Sequence, residues 1–265
     1  MASVKDFYRA MDEWAPFETQ MDFDNAGFLV GHRDAAVDKV LVALDITQDV
    51  VEEAEKLGCQ LIVSHHPVIF HPAKAITDET VTGRTLLALT EGKIAAICCH
   101  TNLDAAQDGV NDCLAQALGL QEVGQLHPDG VDRKGRTYGI GRVGMCHQPG
   151  MSAADYAGRV KMLLGGAGVR FTDGGRPVRR VAVGGGSCGS MLADAVAMGC
   201  DTFVTADVKY DQFLEARAMG LNLMDAGHYA TENVICAKIA QYLTSQFPDV
   251  TVLVSHRHKE AYACV

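Results

Sequence analysis

Two histidines stand side by side where an apolar run ends, in Leu61-Ile62-Val63-Ser64-His65-His66-Pro67. Further along, the chain carries His100-Thr101-Asn102-Leu103-Asp104 and His228-Tyr229-Ala230-Thr231-Glu232, each a histidine with a carboxylate at the i+4 position. Imidazole is a borderline ligand suited to zinc, iron, copper or nickel. Each motif alone has a plainer use, because a histidine pair can cap a strand and a His-x-x-x-Glu pair on a helix is usually a solvated face. Taken together the candidates are His65, His66, Asp104, His228 and Glu232, with His100 close by. So many groups exceed what one tetrahedral ion takes. They suit two divalent cations ~3.5–4 Å apart, sharing a carboxylate and holding a water or hydroxide between them. No cysteine is among them, which favours a catalytic or exchangeable site over a closed structural one. His100 and Glu232 are the candidate proton carriers, although a Glu232 that ligates metal would be a poor free base.

The elements that must position these groups alternate. Strands are predicted over 39–44, 60–64 and 94–99, with helices over 50–57, 84–91 and 110–118. A second series has strands over 138–143, 178–183, 202–205, 221–225 and 250–254. Its helices cover 152–164, 191–198, 210–219 and 231–247. An opening helix follows Ser3, with Asp6 completing a capping-box-like start and Val4, Phe7, Tyr8, Met11 and Trp14 at helical spacing. Asp22 and Asp24 read as turn residues before a strand near Gly27. Strands alternating with helices call for an α/β fold with a largely parallel sheet, whose ligands bind beyond the carboxyl ends of the strands. His65, His66, His100 and His228 all follow such ends.

The second series repeats the first. Residues 39–43 match 180–184 and residues 58–64 match 199–205 at one offset, 180 − 39 = 199 − 58 = 141. His100 and Asp104 are echoed by His228 and Glu232 at an offset of 228 − 100 = 128, so a deletion lies between. Two copies of one α/β unit are therefore expected, related by a pseudo-two-fold with the metal site between them. The stretch 121–136, rich in glycine, proline and charge, places the boundary so that the domains cover 1–125 and 126–265.

A competing signal is Gly184-Gly185-Gly186-Ser187-Cys188-Gly189, a Gly-x-Gly-x-x-Gly run after a strand and before a helix. It lacks a well-placed acidic residue ~20 positions on. The preferred reading is close approach between strand-end loops, with contact to an anion next.

Composition narrows the partners. The chain has 265 residues, 48% hydrophobic, and a formal net charge of -10 without a lysine- or arginine-rich block. That argues against a duplex nucleic-acid binder. Nine scattered cysteines, mostly inside apolar runs, indicate a reducing cytoplasm. Lys5, Asp6 and Arg9 stand where a signal peptide would be apolar, so export is not expected. No apolar run approaches the ~20 residues that span a bilayer.

These motifs carry a family resemblance. Asp24-Asn25-Ala26-Gly27, Ser64-His65-His66-Pro67, His100-Thr101-Asn102-Leu103-Asp104, Gly139-Ile140-Gly141-Arg142-Val143-Gly144, Val183-Gly184-Gly185-Gly186-Ser187 and Gly227-His228-Tyr229-Ala230-Thr231-Glu232 occur in order over nearly the whole chain. The chain resembles the NIF-three-like family, whose members are often labelled GTP cyclohydrolase I type 2 homologues, in its short form without an inserted domain. The resemblance implies two similar α/β domains, a dinuclear metal site between them and a toroidal homohexamer. It implies His65, His66, Asp104, His228 and Glu232 as ligands of two divalent ions per subunit, zinc, iron, manganese or nickel, with His100 beside them. Ala26, where a valine is commoner, and Phe28-Leu29 depart from the pattern without touching a ligand. The function expected is a metal-dependent hydrolase of a nucleotide-like substrate, by ring opening or phosphoester hydrolysis. The alternative is a metal chaperone, store or interaction protein with little turnover.

Overall fold

Short β-branched runs, too short for helices and bounded by glycine or polar turns, supply the strands of two sheets. The structure, a computed structural model, describes residues 2–265. In chain order the sheet strands are β1 (Gly27–Val30), β2 (Lys39–Ala43), β3 (Leu61–Ser64), β4 (Ala95–Cys98), β5 (Leu120–Gln125), β6 (Arg142–Cys146), β7 (Arg170–Thr172), β8 (Arg180–Val183), β9 (Thr202–Thr205), β10 (Asn222–Asp225) and β11 (Thr251–Val254). Packing divides the chain into two units, one of residues up to Leu103 with Ile235–Lys259, the other of Asp104–Val234 with Glu260–Val265. This differs from a division at 125/126 in two places. β5 is not a linker, because it pairs antiparallel with β6. Most of its side chains are exposed, and the polar composition of such an edge strand imitates a linker. β11 lies parallel to β2, which returns the C-terminal strand to the first unit.

In the first unit the strand order is β11-β2-β3-β4-β1, with β1 alone antiparallel. Every residue of β3 and β4 is buried, as a sheet covered on both faces requires. Leu41, Ile62 and Ala96 from the sheet pack with Val50 and Ala54 of the helix Gln48–Leu57 and Leu89 of the helix Val81–Glu91. Thr47 caps the first of these helices by accepting from the Val50 amide, and Gly58 ends it in the left-handed conformation. The helix Val4–Trp14 buries Val4, Phe7, Met11 and Trp14, as its spacing predicts, and the Ser3 amide donates to Asp6. Phe7 stacks on Phe247 at 4.0 Å, and Trp14 meets Tyr242 at 4.8 Å.

In the second unit the order is β7-β10-β9-β8-β6-β5, with β8, β9 and β10 parallel. Alternation along these strands divides their side chains between two clusters. Val181, Val183, Val204 and Met224 pack with Tyr156 and Val160, whereas Ala182, Phe203 and Leu223 pack with Leu192 and Ala216.

The internal repeat is visible as topology. β2, β3, β4 and β8, β9, β10 are each three parallel strands in chain order. Each triplet is edged by an antiparallel strand that precedes it in sequence, β1 on β4 and β7 on β10. Gly58 and Gly199, 141 residues apart, take the same left-handed φ, +68° and +72°. The units differ at the other edge, where β11 is parallel to β2 but β6 is antiparallel to β8.

Two boundaries differ from expectation near the site. The helix predicted over 231–247 is two helices, His228–Glu232 and Val234–Gln246, interrupted at Asn233. The strand predicted over 138–143 is divided: Thr137–Tyr138 pairs with Gly130–Val131, and the sheet strand starts at Arg142, after Gly141 with its φ of +78°. Among the described residues, no helix is long and apolar enough to cross a membrane.

Candidate metal centre

The first unit gathers imidazoles. β3 ends at Ser64, and the amides of His65 and His66 continue its pairing by donating to Ala43 and Leu44 carbonyls at 3.3 and 2.9 Å. The next strand, β4, leads to His100. The three rings lie 4.9–5.5 Å apart by centroid, and one nitrogen of each falls within 4.8 Å of the others. Each ring is held through Nδ1. His65, fully buried, donates to the Cys99 carbonyl at 2.7 Å. His66 donates to Asp45 Oδ1 at 2.8 Å and His100 to Asp24 Oδ1 at 2.7 Å. A carbonyl or carboxylate only accepts, so Nδ1 carries a proton, and in the neutral ring that leaves Nε2 with the donor pair, the tautomer usual for a metal-ligating histidine.

Asp24 is not the plain turn residue that its setting suggests. Its side chain is fully buried and also accepts from the Thr101 amide and hydroxyl. Burial raises the Asp24 pKa, but the bonds from His100 and Thr101 outweigh it and hold the carboxyl at about 2. Asp45 is likewise raised by burial and lowered further by hydrogen bonds from His258 and His66, which leave it well below the usual carboxylate range. Asp22, by contrast, is exposed.

The second unit gathers carboxylates. Asp104, in the short helix Thr101–Ala105, and Glu232 are both buried, with carboxylate oxygens within 4.8 Å of each other. The helix carrying Glu232 begins at His228, later than the i, i+4 argument requires, yet His228 Nε2 still lies 3.0 Å from Glu232 Oε2. His228 Nδ1 donates to Asp207 Oδ2 at 2.7 Å, repeating the pattern of the other unit.

The glycine run serves this second cluster. Its amides are spent internally: Gly184 donates to the Val204 carbonyl, Gly185 to Asn111 Oδ1 and Gly186 to Thr231 Oγ1. Only a 3-10 turn, Gly189–Met191, and a six-residue helix follow, so the dinucleotide reading loses its basis. A Cβ on Gly186, whose φ is +64°, would sit 2.1 Å from Glu232 Oε1 and 3.3 Å from His228 Cε1. Glycine is needed there so that the loop can pass the carboxylate. Asn111 also donates to the Asp104 carbonyl, so one side chain ties the loop to the Asp104 turn.

Arg142 braces the same turn from β6. Its buried guanidinium donates to the Ala106, Gly139 and Gly141 carbonyls and pairs with Asp112 at 2.7 Å. Cys188 lies near the carboxylates without joining them as a ligand. Burial, then the charges of Asp104 and Glu232, push its thiol far up, and it donates to the Gly185 carbonyl. The donor sets are therefore nitrogen and oxygen only, as expected. They fit a hard or borderline divalent cation, with oriented imidazoles in one unit, closely spaced buried carboxylates in the other, and a glycine leaving room beside Glu232.

Asp45, Asp207, Asn111 and His258 had escaped the sequence reading as site residues. Asp207 was within reach of the repeat, since 207 − 66 = 141 makes it the counterpart of His66. Asn111 and His258 had no such signal.

Three comparisons agree on kinship. A Clostridium perfringens protein named GTP cyclohydrolase 1 type 2 homolog is 31% identical over 98% of this chain and 98% of its own length. A Streptomyces coelicolor protein of the same name is 38% identical, covering 88% of this chain and 82% of its own. The crystal structure of a Bacillus cereus protein related to NIF3 superposes with a TM-score of 0.93 and 25% identity, over 100% of this chain and 99% of that one. The family model Duf34/NIF3 (NGG1p interacting factor 3) matches residues 2–261, and the chain belongs to that family.

Proposed function

We propose that the imidazoles of the first unit and the carboxylates and His228 of the second together hold two divalent cations, and that the protein is a metal-dependent hydrolase of a nucleotide-like substrate. The observation that carries this reading is the uniform treatment of four histidines. Each of His65, His66, His100 and His228 has Nδ1 tied to a fixed acceptor, which would leave Nε2 for a cation. Core histidines satisfied for packing alone have no reason all to be held through the same ring nitrogen. In this reading His65, His66, Asp104, His228 and Glu232 are the ligands, and the metal is zinc, iron, manganese or nickel. Bound cations of this kind lower the pKa of water and polarise the bond to be broken.

The chain's own residues do the remaining work. Cys99, Asp45 and Asp207 orient His65, His66 and His228, while Asn111 and Gly186 position the two carboxylates. His100, held by Asp24, moves a proton at its Nε2. The names of the relatives support a guanine nucleotide as substrate class, opened at the imidazole carbon of the base, with phosphoester hydrolysis as the other reaction of the same class. A toroidal homohexamer in the cytoplasm belongs to the same reading.

The second reading, a metal chaperone, store or interaction protein with little turnover, is favoured by a net charge of -10 and no basic cluster to hold a polyphosphate. An assay separates the two. Protein loaded in turn with zinc, iron, manganese and nickel is offered nucleoside triphosphates and generic phosphoesters. Turnover that His66→Ala abolishes, with the assembly intact by light scattering, supports the hydrolase. No turnover with any metal supports the second reading.

A further inference from the structure

Beyond its metal clusters, the chain invests in one small construction of the first unit that the hydrolase reading does not use. β11 ends at Val254, opposite Val42, and the Ser255 amide extends the pairing by donating to the Val42 carbonyl at 2.8 Å. The chain then turns sharply. Glu53, from the helix Gln48–Leu57, accepts from the His256 and Arg257 amides at 3.0 and 3.3 Å and from the Ser255 hydroxyl. Ser255 Oγ in turn accepts from the Arg257 and His258 amides at 3.2 and 3.3 Å. Burial raises the Glu53 pKa, and its bonds to Ser255, His256 and Arg257 outweigh that and lower it. Glu53 thus binds three consecutive residues, and Ser255 Oγ holds a fourth, His258.

This turn delivers His258. Its imidazole, only 9% exposed, places Nε2 2.9 Å from Asp45 Oδ2, while the other oxygen of Asp45 accepts from His66 Nδ1 at 2.8 Å. Asp45 lies on the loop after β2, so a carboxylate on a loop is gripped from both sides. The other supporting aspartates differ. Asp24 is anchored by Thr101 of the adjoining helix, and Asp207 is 54% exposed. Only Asp45 takes its second support from a residue about two hundred positions away in sequence.

We propose that His258 is a positioning residue for the metal centre, acting through Asp45 to set the orientation of the His66 ring. This rests on the reading of His66 as a ligand. Metal-bound histidines depend on the groups that hold their second nitrogen, and loss of such a partner costs about 10–100-fold in metal affinity. His258 stands one bond further out. Without it, Asp45 keeps its bond to His66 but loses the contact that stops it from swinging. Its role follows from chain topology: β11 packs beside β2, and the loop after β2 carries Asp45.

The test uses the full chain titrated with Co2+, whose d–d absorption reports ligand geometry apart from activity. Wild type should take up Co2+ with a defined spectrum. His258→Ala should weaken uptake about tenfold and alter the spectrum, with Asp45→Asn costing about 10–100-fold. His258→Gln, which returns a donor near the Nε2 position, should restore most of the loss. The double variant His258→Ala, Asp45→Asn should be no worse than Asp45→Asn alone, as for residues acting through one another. Wild-type uptake with an unchanged affinity and spectrum in His258→Ala overturns the positioning role, even if that variant melts earlier. Additive losses in the double variant overturn it too. Where His258→Ala does not fold, the His258→Gln and Asp45→Asn spectra decide by the same criterion. Wild type that takes up no Co2+ refutes the metal reading and this inference with it.

Discussion

The two units share a topology and have diverged in donor chemistry. At the carboxyl ends of β3 and β4, the first unit presents imidazoles, with its nearby carboxylates, Asp24 and Asp45, turned to hold ring nitrogens. In the second unit, Glu232 follows β10 and lies buried close to Asp104, which follows β4 in the chain, and the counterpart of His66 is Asp207, which holds His228. One scaffold position is therefore a candidate ligand in one copy and a ligand's support in the other. The difference teaches what duplication offers a cation site. The first unit places three oriented imidazoles at its strand ends, whereas Asp104 and Glu232 are buried together in the second, an arrangement that a bound cation would relieve.

Variants can break this division of labour, and the largest effect is expected at the charged half. Glu232→Gln removes a buried charge and a donor while preserving shape. Metal affinity should fall by more than the about 100-fold that marks the upper end for loss of a supporting partner, as read by competition with a chelating dye. Next comes Arg142→Met, which leaves Asp112 without its cation and removes one of the two donors to the Ala106 carbonyl. It should destabilise the protein by about 3–5 kcal/mol in urea unfolding, the usual cost of breaking a buried ion pair.

Gly186→Ala comes third. Its Cβ would meet Glu232 Oε1 and its φ is left-handed, so about 1–2 kcal/mol of backbone strain adds to displacement of the carboxylate. Metal uptake should drop more than thermal stability, whereas Gly199→Ala, with open space around its Cβ and a similar φ, should cost stability alone. Asp24 gives a smaller, pH-dependent effect. Its folded pKa of about 2 lies below the ordinary value of 3.8, so its contribution is complete above about pH 4 and fades as the pH falls toward 2. The stability gap between wild type and Asp24→Asn should therefore narrow across that window, as followed by denaturant midpoints. Smallest is a labelling contrast. Burial raises the Cys98 thiol to about 12 and pushes the Cys99 thiol well up, whereas Cys264 is exposed. In the native protein at pH 8, maleimide should modify Cys264 and spare Cys98 and Cys99.

Much of this was legible in the chain. The parallel strands announced themselves as β-branched runs, and the 141-residue offset anticipated matching glycines at 58 and 199. The ligand candidates were visible because histidine and carboxylate after a strand are chemically conspicuous. What stayed hidden depended on tertiary partners. β5 read as a linker because an exposed edge strand is polar. Asp24 read as a turn residue because nothing local reveals that His100 and Thr101 fold onto it from beyond β4. The glycine run matched a nucleotide fingerprint, and only its hydrogen bonds show those amides already used. His258 has no local signature, since its importance arises from a strand pairing between opposite ends of the first unit's sequence.

The central claim is that the two differently equipped units share one pair of cations. Metal content measured by mass spectrometry after reconstitution with Mn2+ or Zn2+ and removal of excess tests it most directly. Two equivalents per chain are predicted for wild type, with fewer than two retained by His66→Ala and by Glu232→Gln alike. Wild type retaining none, or both variants retaining the full two equivalents, would contradict it.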